Sequence, residues 1–91
     1  MFVDLKNLVA HWQDIAEETE CEDISMAYTN DADDAQNVLD FLDHGNTEGA
    51  MFALNRMDTA PREAVVMAIY ADTNKQYVYN LGWEIWHVRF H

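Results

Sequence analysis

Residues 2–18 read FVDLKNLVAHWQDIAEE and carry the clearest structural signal in the chain. Their apolar members recur at the i, i+3, i+4, i+7 spacing of an amphipathic helix. These are Phe2, Leu5, Leu8, Val9, Trp12, Ile15 and Ala16. The opposite face is polar and includes Asp14 and Glu18. The pattern predicts a first helix over 2–18 that packs its apolar stripe against the rest of the chain.

The sequence changes character after this helix. Residues 24–28, ISMAY, alternate between apolar and small residues and predict a short strand. Residues 29–34, TNDADD, are rich in turn formers and predict a turn. A second helix is expected over about 34–43. Asp33 and Asp34 would then lie at its N-terminal end, where the helix dipole favours anions.

Two helices are predicted in the next part of the chain. Gly45 predicts the end of the second helix, and Asn46 or Thr47 can cap a third over about 48–57. Pro61 is tolerated in a first helical turn and predicts a fourth helix over 61–71. Residues 64–71, AVVMAIYA, are apolar all round, so periodicity alone also allows a buried strand. The Pro61 start and the Ala and Met content favour the helix.

The C-terminal residues are aromatic and β-branched. Tyr77-Val78-Tyr79 and residues 83–90, WEIWHVRF, predict the two strands of an antiparallel hairpin, with a turn at 80–82. The predicted fold class is therefore α+β and mainly helical, with about four short helices and a small C-terminal β-hairpin. The length of 91 residues predicts one acidic globular domain over 1–91.

Composition predicts a cytoplasmic protein that does not enter a membrane. The single thiol, Cys21, cannot form an internal disulfide. No apolar run approaches the roughly 18–20 residues that span a bilayer. The N-terminal residues also lack the basic and apolar regions of a signal peptide.

Charge is the unusual feature of the sequence. Seventeen Asp and Glu residues face five Lys and Arg residues, giving a net charge of −12. No Lys or Arg occurs from Asn7 to Asn55. Repulsion within such a block opposes compaction, which suggests that the charge has a use beyond solubility. The candidate partner-binding residues are Asp14, Glu17, Glu18, Glu20, Glu22, Asp23, Asp31, Asp33, Asp34, Asp40 and Asp43.

Residue patterns argue against the common chemistries, so no enzyme activity, cofactor or metal is predicted. Acids flank Cys21 and disfavour its thiolate. An EF-hand loop beginning at Asp31 would place Gln36 where Gly is needed and Leu42 where Glu is needed. The three glycines belong to no phosphate-binding loop. The net negative charge also disfavours direct nucleic-acid binding.

An acidic helical surface can imitate a phosphate array. Helical residues three or four apart project side by side, as Asp14 and Glu18 would in the first helix, and Asp33, Asp40 and Asp43 are expected to form a similar stripe in the second. In size and charge alone, the chain resembles the acidic nucleic-acid mimics that phages and mobile elements carry against restriction or CRISPR defence. This resemblance implies an inhibitor that occupies the groove of a basic, nucleic-acid-binding protein.

A second hypothesis assigns the function to the C-terminal aromatic residues. Trp83, Trp86, Tyr77 and Tyr79 could form an interface in a small structural or regulatory module, including a homodimer. The acids would then mainly supply solubility. Strong salt dependence of binding would favour the mimic, and salt-resistant binding would favour the aromatic interface.

Overall fold

The computed structural model describes residues 2–80, which form five helices joined by short turns. They are α1 (Val3–Glu18), α2 (Glu22–Asp43), α3 (Thr47–Arg56), α4 (Thr59–Asp72) and α5 (Lys75–Asn80). Residues 2–80 contain no strand. The predicted α+β class is therefore wrong for this part of the chain, which is entirely helical between its turns.

Helices α1 and α2 form a hairpin across a three-residue turn. The buried residues of α1 are those of the predicted stripe, with Leu5, Val9 and Trp12 among them. The Ser25 hydroxyl donates a hydrogen bond to the Ala16 carbonyl oxygen at 2.7 Å, which holds the start of α2 beside the end of α1. Helix α1 also contacts α4, so it packs against helices on two sides.

The first half of α2 was not predicted as helix. The short strand expected at 24–28 is wrong, because α2 already begins at Glu22. The alternating residues Ile24 and Met26 are exposed to solvent. Burial follows the helical spacing instead: Tyr28 packs against the core and Ala32 and Ala35 are buried within it. These alanines let the backbones of neighbouring helices approach closely, and this packing outweighs the turn propensity of residues 29–34.

The turn after α2 was predicted correctly. Gly45 has a φ of 71°, the left-handed conformation in which glycine carries no steric cost. Its amide donates to the Leu42 carbonyl, and the Asn46 amide donates to the Phe41 carbonyl, the two bonds of a Schellman motif. The Asn46 side chain then accepts a hydrogen bond from the Gly49 amide at 2.9 Å and caps α3, as expected.

Helices α4 and α5 test two predictions, the helix over residues 64–71 and the strand over residues 77–79. Residues 64–71 lie within α4, so the helix interpretation is confirmed. Residues 77–79 lie within α5, so the predicted first strand of the hairpin is wrong. The Asn74 side chain accepts from the Tyr77 amide at 2.9 Å and begins this helix. The predicted second strand, 83–90, lies outside the described residues.

Two hydrogen bonds join the end of α4 to the start of α1. The Asp72 carboxylate, at the end of α4, accepts from the amides of Asp4 at 2.7 Å and Leu5 at 3.0 Å. These amides belong to the first turn of α1, which has no side-chain cap of its own because the N-cap residue is Phe2. Asp72 therefore serves as the cap of α1 and ties the end of α4 to its start.

Candidate acidic binding surface

The candidate acids of α2 occupy different faces of this one long helix. With 22 residues, α2 is about 33 Å long. At 100° per residue, Glu22, Asp33 and Asp40 fall on the side opposite the buried stripe, and all three are exposed. We call these three residues the α2 acidic stripe. The prediction that Asp43 shares a stripe with Asp33 and Asp40 is wrong, because Asp43 is exposed but lies well to the side of the stripe.

Helix α1 adds acids on two sides. Asp14 and Glu18 project directly away from its buried stripe, as predicted. Glu17 projects towards α2 instead, and a cavity of about 230 Å³ lies between the two helices there. Glu17 lines this cavity from α1 and Asp33 lines it from α2. This shared cavity places one acid of α1 beside the α2 acidic stripe.

The turn between α1 and α2 concentrates a further group of acids. Five of the candidate residues fall within seven positions, and all are exposed. They are Glu17, Glu18, Glu20, Glu22 and Asp23. The placement of Glu22 and Asp23 in the first turn of α2 differs from the prediction, which put Asp33 and Asp34 at a helix start. Near this N-terminal end the helix dipole stabilises the two anions.

Asp31 and Asp34 are half-buried, whereas the other candidate acids are exposed. Burial chiefly raises the pKa of Asp31, and the negative charges of Asp34 and Asp58 raise it further. Asp58 is the residue directly before α4 and was not among the predicted site residues. The sequence held one signal for it, since an Asp directly before a helix with Pro61 in its first turn is a common N-cap pattern.

The C-terminal end of α2 is acidic and hydrogen-bonded. Asp40 accepts a hydrogen bond from the Gln36 side chain at 2.9 Å. The ring Nδ1 of His44 lies 2.7 Å from the Asp40 carbonyl oxygen. Asp40 and His44 border an open cavity of about 400 Å³, which is also lined by Asn37, Phe41 and Asn46. Asp40 and Asp43 lie at the end of the helix where the dipole disfavours anions.

The alternative aromatic interface is only partly described. Tyr77 is half-buried and its ring lies 6.1 Å from that of Phe2, so it packs inside the bundle. The pKa of its hydroxyl is raised by burial. The side chain of Tyr79, together with Trp83 and Trp86, lies outside the described residues. The most exposed large apolar side chain described is Phe52 of α3, 65% exposed, with the Arg56 guanidinium 5.8 Å from its ring centre.

Three features of the described residues concern metal ligands, the thiol and membrane spans. Within residues 2–80, no group of three or more His, Cys, Asp or Glu side chains is placed to hold a metal ion. Cys21 is exposed and unpaired in any disulfide. None of the five helices is long and apolar enough to cross a bilayer.

Comparison with known proteins adds no further assignment. No family model, no curated protein and no solved structure matches the chain.

Proposed function

We propose that this protein binds a basic nucleic-acid-binding protein and blocks its groove, without catalysing a reaction. The proposed partner is a nuclease or nuclease complex of the restriction or CRISPR type. The observation that carries the proposal is the α2 acidic stripe, together with Glu17 beside it. These acids lie within a stretch, Asn7 to Asn55, that contains no Lys or Arg.

The spacing of the stripe suits a groove that normally holds a nucleic-acid backbone. Asp33 and Asp40 are seven residues apart, about 10 Å along the helix axis. Phosphates of one DNA strand advance about 3.4 Å per nucleotide along the duplex axis, so this interval corresponds to about three nucleotides. Glu22 extends the stripe by about 16 Å in the other direction. A helix carrying charge at such intervals can meet several cationic side chains at once.

Electrostatics would govern the encounter as well as the complex. A net charge of −12 on a 91-residue chain attracts a basic surface over a distance of about one Debye length, roughly 8 Å at physiological salt. Complementary charge of this kind mainly raises the association rate. Binding should therefore weaken steeply as salt is added, and duplex DNA should compete for the same groove.

The test uses a variant with the central charges removed. In Glu17→Gln/Asp33→Asn/Asp40→Asn, three exposed carboxylates become neutral amides of similar size. The tagged wild-type protein is used to capture partners from bacterial lysate at low salt. The captured proteins are identified by mass spectrometry, and each is then purified and titrated with both forms. We expect a basic nucleic-acid-binding protein that salt and duplex DNA displace and that the variant binds at least tenfold more weakly.

A matched control separates the position of the charges from their number. Asp4→Asn/Glu48→Gln/Glu63→Gln removes the same charge from α1, α3 and α4 and should retain most of the affinity. Equal losses in both triple variants would mean that only net charge matters. A partner that resists salt and binds both variants as well as the wild type would refute the proposal and favour the apolar interface.

A further inference from the structure

A cavity with aromatic walls lies where three helices meet. It measures about 230 Å³ and is distinct from the cavity beside Glu17. Trp12 of α1 and Tyr28 and Asp31 of α2 line it, and Ala60 and Pro61 from the first turn of α4 complete it. The cavity therefore combines two aromatic side chains, one carboxylate and small apolar groups within the reach of a single ligand group.

The charge around this cavity favours a cation. Asp31 is half-buried and lines the wall, and the charges of Asp34 and Asp58 act on it. Burial and both charges raise the pKa of Asp31, which means that its negative charge is unfavourable in the free protein. A positive group placed against Asp31 would offset this cost, whereas an anion would increase it.

We propose that this cavity receives the guanidinium group of an arginine side chain. A planar guanidinium stacks on Trp and Tyr rings and also pairs with a carboxylate through two donors. An ammonium group, which is compact and strongly hydrated, uses the aromatic walls less well. This inference rests on the proposed function and deepens it, because it assigns to the basic partner an arginine that inserts between α1, α2 and α4.

The experiment titrates the free protein with a defined probe. Nα-acetyl-arginine methylamide is added to isotopically labelled protein, and the Trp12 indole and Asp31 resonances are followed by NMR. The lysine and citrulline methylamides serve as comparators, citrulline being the neutral isostere of arginine. We expect saturable shifts with arginine, weaker binding of lysine and none of citrulline.

Two variants link the binding to the cavity. Asp31→Asn removes the charged acceptor and should weaken arginine binding about tenfold, the value of one charge-assisted hydrogen bond. Glu48→Gln removes the same charge from an exposed position of α3 that does not line the cavity and should leave the binding unchanged. No saturable shift with arginine, equal binding of lysine or citrulline, or an unaffected Asp31→Asn variant would overturn the inference.

Arginine binding is measured without the partner protein. The arginine-binding proposal and the groove-blocking proposal can therefore fail separately. If arginine does not bind but the triple variant at Glu17, Asp33 and Asp40 still loses its partner, the groove-blocking function stands without this cavity. If arginine binds at Asp31 and no salt-sensitive basic partner exists, the cavity stands and the groove-blocking function is wrong.

Discussion

Replacing Asp72 with Ala tests whether one side chain holds the two ends of the bundle together. Its carboxylate accepts hydrogen bonds from the amides of Asp4 and Leu5 at 2.7 and 3.0 Å. These amides have no partner within α1, and Phe2 at the N-cap offers no side-chain oxygen. The substitution therefore removes the cap of α1 and the only carboxylate that is shown bonded to its first turn.

The expected loss follows from three contributions. Removal of an N-cap side chain costs about 0.5–2 kcal/mol. Loss of the negative charge next to the N-terminus of α1 costs about 0.3–1 kcal/mol more. Asp72 is also the last residue of α4, where an anion is unfavourable, and removing its charge there offsets about 0.3–1 kcal/mol. Asp72→Ala should therefore lower the free energy of unfolding by about 1 kcal/mol, which for a domain of this size is a fall in Tm of roughly 4–8 °C. Asp72→Asn retains an oxygen acceptor and should change the free energy of unfolding little, because the two charge effects oppose each other.

Urea unfolding followed by circular dichroism measures both variants, with Asp43→Ala as the matched control. Asp43, like Asp72, is the last residue of its helix, but it is exposed and caps nothing that is described. Removing it relieves an unfavourable interaction with the α2 dipole and should stabilise the protein by about 0.5 kcal/mol. Equal effects of Asp72→Ala and Asp43→Ala would refute the capping role, since both remove one negative charge from a helix end.

Two further predictions concern packing and pH. Gly49→Ala should destabilise the protein by about 1 kcal/mol in urea unfolding despite the helix propensity of Ala, because the new Cβ would lie 2.5 Å from Cδ1 of Phe41 and 2.9 Å from the side-chain nitrogen of Asn46. The same change in a Phe41→Leu background should cost less, because the closer contact is relieved, and an equal loss in both backgrounds would contradict the clash with Phe41. Asp31→Asn should stabilise the protein at pH 7, because the folded-state pKa of Asp31 is raised and its ionisation opposes folding. That gain should fade as pH falls through the raised pKa and vanish below the unfolded value near 3.8, and a thermal-unfolding series from pH 3 to 7 that shows no such trend would contradict it.

The parts of the fold that the sequence predicts are those governed by local rules. The stripe from Leu5 to Ala16 specifies α1 because large apolar residues recur with the helical period. Gly45 and Asn46 specify the turn before α3 because one supplies a left-handed residue and the other an acceptor for a free amide. Each of these signals lies within a few residues of the structure that it determines.

The parts that the sequence misses depend on distant packing. The core-facing residues of the first half of α2 are Ala32 and Ala35 with Tyr28, and small residues of this kind give a weak periodic signal. Their burial depends on α1 lying close by, which a local pattern does not reveal. The same applies to Asp58, which acts on Asp31 only because the start of α4 lies beside the middle of α2.

Because α2 begins at Glu22 and not near residue 34, a different set of acids supports a binding function. Glu22 and Asp23 lie in a first helical turn, where anions stabilise the helix, so helix stability favours them whether or not they contact a partner. Asp40 and Asp43 lie at the opposite end of α2, where anions are unfavourable. Burial and two like charges raise the pKa of Asp31, so its negative charge is also unfavourable in the free protein. Carboxylates that oppose folding in the free protein gain the most from a cationic partner. Asp31 and Asp40 are therefore better positions than Glu22 or Asp23 at which to ask whether the acidity serves binding.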